Sequence, residues 1–185
     1  MKNQFGKIMN PAMGNRASEA SAKAFAGGGR GQDKAAQPLE LSPAETDSLL
    51  FMIEEEKLAG DLYQAFYAQT GLEIFGRIAQ SEDRHYNALI RQAERADLNL
   101  EALQALGEGE FVNTDLQLLY NQMLAEGSIS AEAALAVGQA IEQADIADLQ
   151  GSLESLQSPA LIGVYSRLLA GSENHLSAFD SWLVA

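Results

Sequence analysis

Cysteine is absent from the 185 residues, and that absence alone closes several routes. Disulfides, thiolate zinc sites, iron–sulfur clusters and cysteine nucleophiles are all excluded. No run approaches the roughly 18 consecutive apolar residues of a membrane-spanning helix, so no span is expected. Residues 1–10 carry Lys2 and Lys7 without an apolar core, so no secretory signal is read and a cytoplasmic location is the expectation. Basic residues are scarce over most of the chain. After residue 37, six Lys/Arg face 24 Asp/Glu, a net −18, whereas residues 1–37 carry six against two, a net +4. So acidic a body repels phosphate backbones, which argues against nucleic acid as a partner. It suits the attraction of metal cations, and equally plain solubility. No segment sustains the two-residue alternation of a strand. Histidine occurs only twice, at His85 and His175.

What is present is helical. Residues 1–40 read as a flexible basic tail containing Gly27-Gly28-Gly29-Arg30-Gly31, with a transient helix around Glu19 to Phe25. Residues 41–185 read as one all-α domain. Ser42-Pro43-Ala44-Glu45 is a helix start, with a capping Ser, Pro at the first position and Glu completing the box. The first long helix is predicted to end near Thr70, where Gly71 stops it. The second spans about Leu72 to Asp97. A long connection follows, from Leu98 to Ile129, holding a short helix from Thr114 to Glu126. Ser130 caps the third long helix, which runs to about Leu149, and Ser158-Pro159 opens the fourth, which reaches about Leu183. Short turns within each pair make antiparallel hairpins, and the long middle link permits a crossover, so the expected fold is a four-helix bundle.

Laying each long helix on a 3–4 spacing gives its inward seam. The first gives Leu49, Met52, Glu56, Ala59, Tyr63 and Phe66; the second Phe75, Ile78, Glu82, His85 and Leu89. The third gives Leu135, Gly138, Glu142, Asp145 and Leu149; the fourth Leu161, Tyr165, Leu168, Ser172, His175, Phe179 and Trp182. Every seam is broken near its middle by an acid, an imidazole or a hydroxyl, never by Lys or Arg. An uncompensated buried carboxylate costs several kcal/mol, and divalent cations relieve that cost by taking carboxylate oxygen and neutral imidazole nitrogen as ligands. Glu82-x-x-His85 puts both side chains on one face, one turn apart. Any one of these residues alone would more often be a boundary acid or a satisfied histidine. Their coincidence, with both histidines on acid-bearing seams, points to metal binding.

Glu54-Glu55-Glu56-Lys57-Leu58-Ala59 with Tyr63, followed by Ile78-Ala79-Gln80-Ser81-Glu82-x-x-His85, resembles the first hairpin of ferritin-like proteins such as rubrerythrin. Glu56, Ala59 and Tyr63 match that spacing, and Glu55 matches less well. With Gly138-x-x-Ile141-Glu142-x-x-Asp145-Ile146 and Gly171-Ser172-x-Asn174-His175-Leu176, the chain is similar to an uncharacterised prokaryotic family of ferritin-like domains over about residues 42–183. The resemblance implies a ferritin-like bundle of two antiparallel hairpins joined by a long crossover, with a dimetal site. It implies Glu56, Glu82, His85, Glu142 and His175 as ligands, with Asp145 less regular. The chain departs from the pattern at Ser172, where the fourth helix usually carries Glu. Glu173 lies about 100° around the helix and is not assumed to substitute, whereas Asp145, one turn after Glu142, can supply the carboxylate. One bound ion remains an alternative to two.

The expected cofactor is iron, with manganese as the alternative, since both accept this ligand set. The expected function is that of a di-iron carboxylate oxidoreductase, oxidising Fe(II) or reducing peroxide or dioxygen with electrons from a separate donor. A non-catalytic iron- or manganese-binding protein and a structural bundle without metal are the alternatives. A homo-oligomer is compatible with the sequence. Tyr63 and Tyr165 are candidates to hydrogen-bond the ligands or simply to pack, and Lys57 and Arg84 should point away from the seam.

Overall fold

The computed structural model describes residues 38–184. Most of the expected tail, including the helix near Glu19 to Phe25, lies outside the described residues. Its last residues belong to the folded body. Leu39 N–H donates to the Arg95 carbonyl at 2.8 Å, and the Leu39 side chain packs on the apolar core.

Among the described residues there are six helices and no strand: α1 (Pro43–Thr70), α2 (Glu73–Arg95), α3 (Glu101–Gln104), α4 (Thr114–Gly127), α5 (Ala131–Ser155) and α6 (Pro159–Leu183). The starts follow the capping chemistry. Ser42 and Glu45 form the reciprocal box of α1, Ser130 accepts from Ala133 N–H, and Ser158 accepts from Leu161 N–H. Gly71, at φ 69°, ends α1 in the left-handed conformation that glycine adopts without a Cβ penalty. Three boundaries differ from expectation. The four-residue α3 was not foreseen, because a single turn is too short to show a helical period. Helix α2 stops at Arg95, two residues early, and Asp97 follows at φ 54°. Helix α5 continues past Leu149 to Ser155 because its buried face extends through Ser152.

The two most extensive packings are α1 on α2 and α5 on α6, with α4 bridging α1 and α5. The core falls into two apolar clusters, and their order along the chain reveals the topology. On α1 the cluster holding Leu49, Met52 and Ile53 comes first, and the one holding Leu62, Tyr63 and Phe66 comes later. On α2 that order reverses, with Phe75 and Ile78 before Leu89. Helix α5 runs as α2 does, and α6 as α1 does, so each pair is an antiparallel hairpin. Between the clusters every long helix crosses a polar waist. A fully buried Leu or Phe contributes about 1.5–3 kcal/mol, so apolar core on both sides can tolerate it.

The seams hold, except at the end of α6. Trp182 was expected inward but is 45% exposed, and Leu183 and Val184 beside it in the last turn and cap of α6 are exposed too. The long connection from α2 to α5 is latched to α1. Glu54 accepts from Val112 N–H at 2.6 Å and from Asn113 N–H at 2.9 Å, and Asp61 accepts from Gly109 N–H at 2.8 Å. Lys57 Nζ, away from the seam as expected, donates to Asp61 at 2.5 Å and to the Gly107 carbonyl at 2.7 Å.

Candidate metal centre

All six predicted side chains converge at the polar waist. Glu56 comes from α1, Glu82 and His85 from α2, Glu142 and Asp145 from α5, and His175 from α6. Three of the carboxylates are almost completely buried: Glu56 is 3%, Glu82 2% and Glu142 2% exposed.

Glu82 is the hinge of the arrangement. Its Oε2 lies 2.8 Å from Nδ1 of His85, and its Oε1 lies 2.8 Å from Nδ1 of His175. Glu56 Oε2 approaches His85 Nδ1 at 3.2 Å, and Glu142 Oε2 approaches His175 Nδ1 at 3.5 Å. Two groups result, Glu56–Glu82–His85 and Glu82–Glu142–His175, each with its ligand atoms within 4.8 Å of one another. The imidazole rings stack at 5.5 Å with a tilt of 27°. Glu82 belongs to both groups with a different oxygen in each.

Surrounding residues hold these groups in place. Tyr63 OH donates to Glu142 Oε1 at 2.7 Å. Tyr165 instead pairs with Ser48 Oγ at 3.2 Å, away from the ligands. Gly171 on α6 makes room for His85: a Cβ there would stand 2.6 Å from Nε2 and 2.7 Å from Cε1. That role was not read from the sequence, although Gly171 lies within the quoted α6 motif. Also missed was Glu55, which is buried with both oxygens lacking a hydrogen-bond partner and which feels Asp148 and Asp145. A seam analysis selects one face per helix, and Glu55 lies on another.

The electrostatics follow from burial. Burial, then the charges of Asp145 and Glu82, pushes Glu56 well above the ordinary carboxyl range. Burial and Glu82 raise Glu142 to about 7, and burial and Glu142 raise Asp145 to about 8. Glu82 behaves oppositely. Burial pushes it up too, but the close imidazoles of His175 and His85 outweigh that and hold it at about 2. Burial lowers His175, yet Glu142 and Glu82 overcome this and raise it to about 9; His85 is raised mainly by Glu82 against the same opposition. One carboxylate thus faces two imidazoles, while the other acids grip protons more tightly than in water.

Hydrogen bonding does not complete this cluster. Glu56 Oε1, Glu82 Oε1, Asp145 Oδ1 and His175 Nδ1 are buried without a hydrogen-bond partner. His175 Nδ1 and Glu82 Oε1 are close enough to pair but are not aligned to do so. Buried polar atoms ordinarily find partners; these converge on shared space instead. A cavity of about 10 Å³ lies among Glu55, Glu56, Glu82, Glu142 and Asp145, near the smallest space that admits one water-sized sphere. A divalent ion with oxygen and nitrogen ligands satisfies these atoms and displaces the protons. The residues fit a metal.

A sequence profile described as "Uncharacterized protein domain (DUF2202)" matches residues 45–183, a range containing all six side chains. The uncharacterized protein MJ0754 of Methanocaldococcus jannaschii is 36% identical over 139 residues, which is 75% of each chain. The crystal structure of the hypothetical protein MJ0754 from Methanococcus jannaschii superposes with a TM-score of 0.77 at 34% identity, covering 81% of this chain and 85% of that one.

Proposed function

We propose, for a chain that belongs to the uncharacterised domain family DUF2202, that residues 41–185 form a ferritin-like dimetal carboxylate domain. In this reading Glu56, Glu82, His85, Glu142, His175 and Asp145 are the ligands, and iron is the metal. The observation that carries it is Glu82, whose two oxygens each lie 2.8 Å from a different histidine, so that one buried carboxylate would take part in both ligand groups. Two helices contribute a Glu and an i,i+3 Glu–His pair in the manner of di-iron carboxylate bundles. Asp145 supplies from α5 the carboxylate that Ser172 does not. Ser172, 1% exposed, is a favourable neighbour of Asp145 and helps to hold its charged form.

Two irons bound here would supply the oxidation of Fe(II) by dioxygen or peroxide. The chain's own residues set the conditions for it. Tyr63 fixes the rotamer of Glu142, Gly171 lets His85 stand against α6, and the apolar clusters keep bulk water out along the bundle axis. With no cysteine in the chain, electrons for peroxide reduction come from a separate partner.

The test is elemental analysis of protein purified without a histidine tag and loaded anaerobically with ferrous iron. The expected result is about two equivalents, lost or halved in His85→Ala and His175→Ala. Wild-type protein that retains no metal would refute the reading. A visible absorbance change when peroxide meets the ferrous form separates an oxidoreductase from a protein that only binds metal.

A further inference from the structure

We propose that the cleft between α1 and α2 is the entrance through which a divalent cation reaches the centre. This inference rests on the metal-centre reading above. A second cavity, of about 180 Å³, shares Glu56 and Glu82 with the small central one. These buried carboxylates are its floor, and Lys57, Asp61, Asp83 and Tyr86 line the rest. Both floor residues have a buried oxygen, Oε1 in each case, without a hydrogen-bond partner. The cleft therefore ends on two carboxylates of the candidate centre.

The two axial directions are filled. Along the bundle axis one side is closed by Tyr63, Phe66, Phe75 and Phe179, whose rings pack at centroid distances of 5.4–6.2 Å. The opposite side is closed by Leu49, Met52, Leu89 and Tyr165, all 0% exposed. Apart from the hydroxyls of Tyr63 and Tyr165, both paths are walled by apolar side chains.

Two features of the cleft wall suit a cation. Lys57, its basic member, is drawn aside: Nζ is bound by Asp61 and Gly107 and stands 5.0 Å over the Phe111 ring. Asp83 is exposed at the mouth. Gly60 is the second feature. It lies inside α1, where glycine costs about 1 kcal/mol relative to alanine. Neither a positive φ nor crowding requires it, since an added Cβ would meet only Glu82 Cβ at an ordinary 3.5 Å. What the missing side chain provides is open space directly beside Glu82.

The experiment is anaerobic uptake of Co(II) alone, followed by stopped-flow absorbance, with equilibrium stoichiometry by dialysis. Gly60→Leu fills the cleft, Gly60→Ala narrows it, and Asp83→Lys reverses charge at its mouth. Glu154→Lys, on the last turn of α5, makes the same change of net charge elsewhere. The expected result is uptake slowed about tenfold in Asp83→Lys, the scale of electrostatic steering, and slowed by steric block in Gly60→Leu, both at wild-type stoichiometry. Gly60→Ala should fall between, and Glu154→Lys should stay within about twofold of wild type. Unchanged rates at full stoichiometry in the cleft variants would overturn the entrance while leaving the metal centre intact. No Co(II) bound by wild type at equilibrium would remove both. Should Gly60→Leu lose its metal altogether, the rates of Gly60→Ala and Asp83→Lys decide.

Discussion

Replacing Gly171 by alanine tests whether His85 is held where a metal needs it. The new Cβ would stand 2.6 Å from His85 Nε2, whereas relaxed contacts lie near 3.5 Å. The ring or α6 must therefore yield by roughly 1 Å, and metal-ligand distances tolerate only about 0.2 Å. Displacing a ligand's support typically costs about 10–100-fold in metal affinity, or about 1.4–2.7 kcal/mol. The ion held by Glu56, Glu82 and His85 should weaken by that factor. The ion at Glu142 and His175 should be less affected. In metal-free protein two effects oppose each other. Alanine gains about 1 kcal/mol of helix propensity, and overpacking costs about 1–3 kcal/mol, so net destabilisation should not exceed about 2 kcal/mol. The assay is anaerobic titration calorimetry with Mn(II) or Fe(II), paired with thermal unfolding with and without metal. Gly127→Ala is the control: it drives a methyl into the Phe66 ring, with no histidine in contact, and should cost stability without changing metal affinity. Two titrations of Gly171→Ala that overlay the wild type would refute the reasoning.

Glu45 offers a test independent of any metal. Its carboxylate accepts from Ser42 N–H and Oγ–H and, across the fold, from Gln157 and Ser158 N–H at 3.0 and 2.8 Å. These hydrogen bonds, led by that from the Ser42 backbone, lower its pKa from 4.5 to about 2. Because the folded pKa lies below the unfolded one, its contribution is full above about pH 4.5 and drains away as pH falls towards 2. Glu45→Ala should cost about 1.5–3 kcal/mol at pH 7 by urea denaturation, the range for hydrogen bonds to a charged group, with the gap closing towards pH 2. Tyr63→Phe removes the 2.7 Å bond to Glu142. It should weaken the ion at Glu142 and His175 by about tenfold or more, measured in the same calorimetric titration, with the Glu56–His85 ion left as in wild type.

Residues that obey a helical period were legible before the fold was known. Glu56, Glu82, Glu142 and His175 could be picked out because each interrupts an apolar seam, and the structure buries them together. Ser42, Ser130 and Ser158 could be picked out because a capping side chain acts within three residues. What sequence spacing could not show was contact between distant segments. Glu45 reads as a local capping acid, yet it also accepts from Ser158, 113 residues away. Glu54 is buried by a loop whose position depends on the whole crossover. Trp182 continues the α6 seam by period, but a period says nothing about where the neighbouring helices end.

The run Glu54-Glu55-Glu56 gives α1 a keyed orientation. Successive residues of a helix point about 100° apart, and each of these three acids has a different neighbour: the amides of Val112 and Asn113, the Asp148 carboxyl, and His85. An apolar face alone tolerates small rotations, since one aliphatic contact resembles another. Here a turn by one residue would carry Glu55 towards the loop amides or the histidine and leave Glu54 or Glu56 facing a group that offers it no proton. Polar side chains, usually kept out of a core for their cost, act in this helix as the pins that fix its rotation.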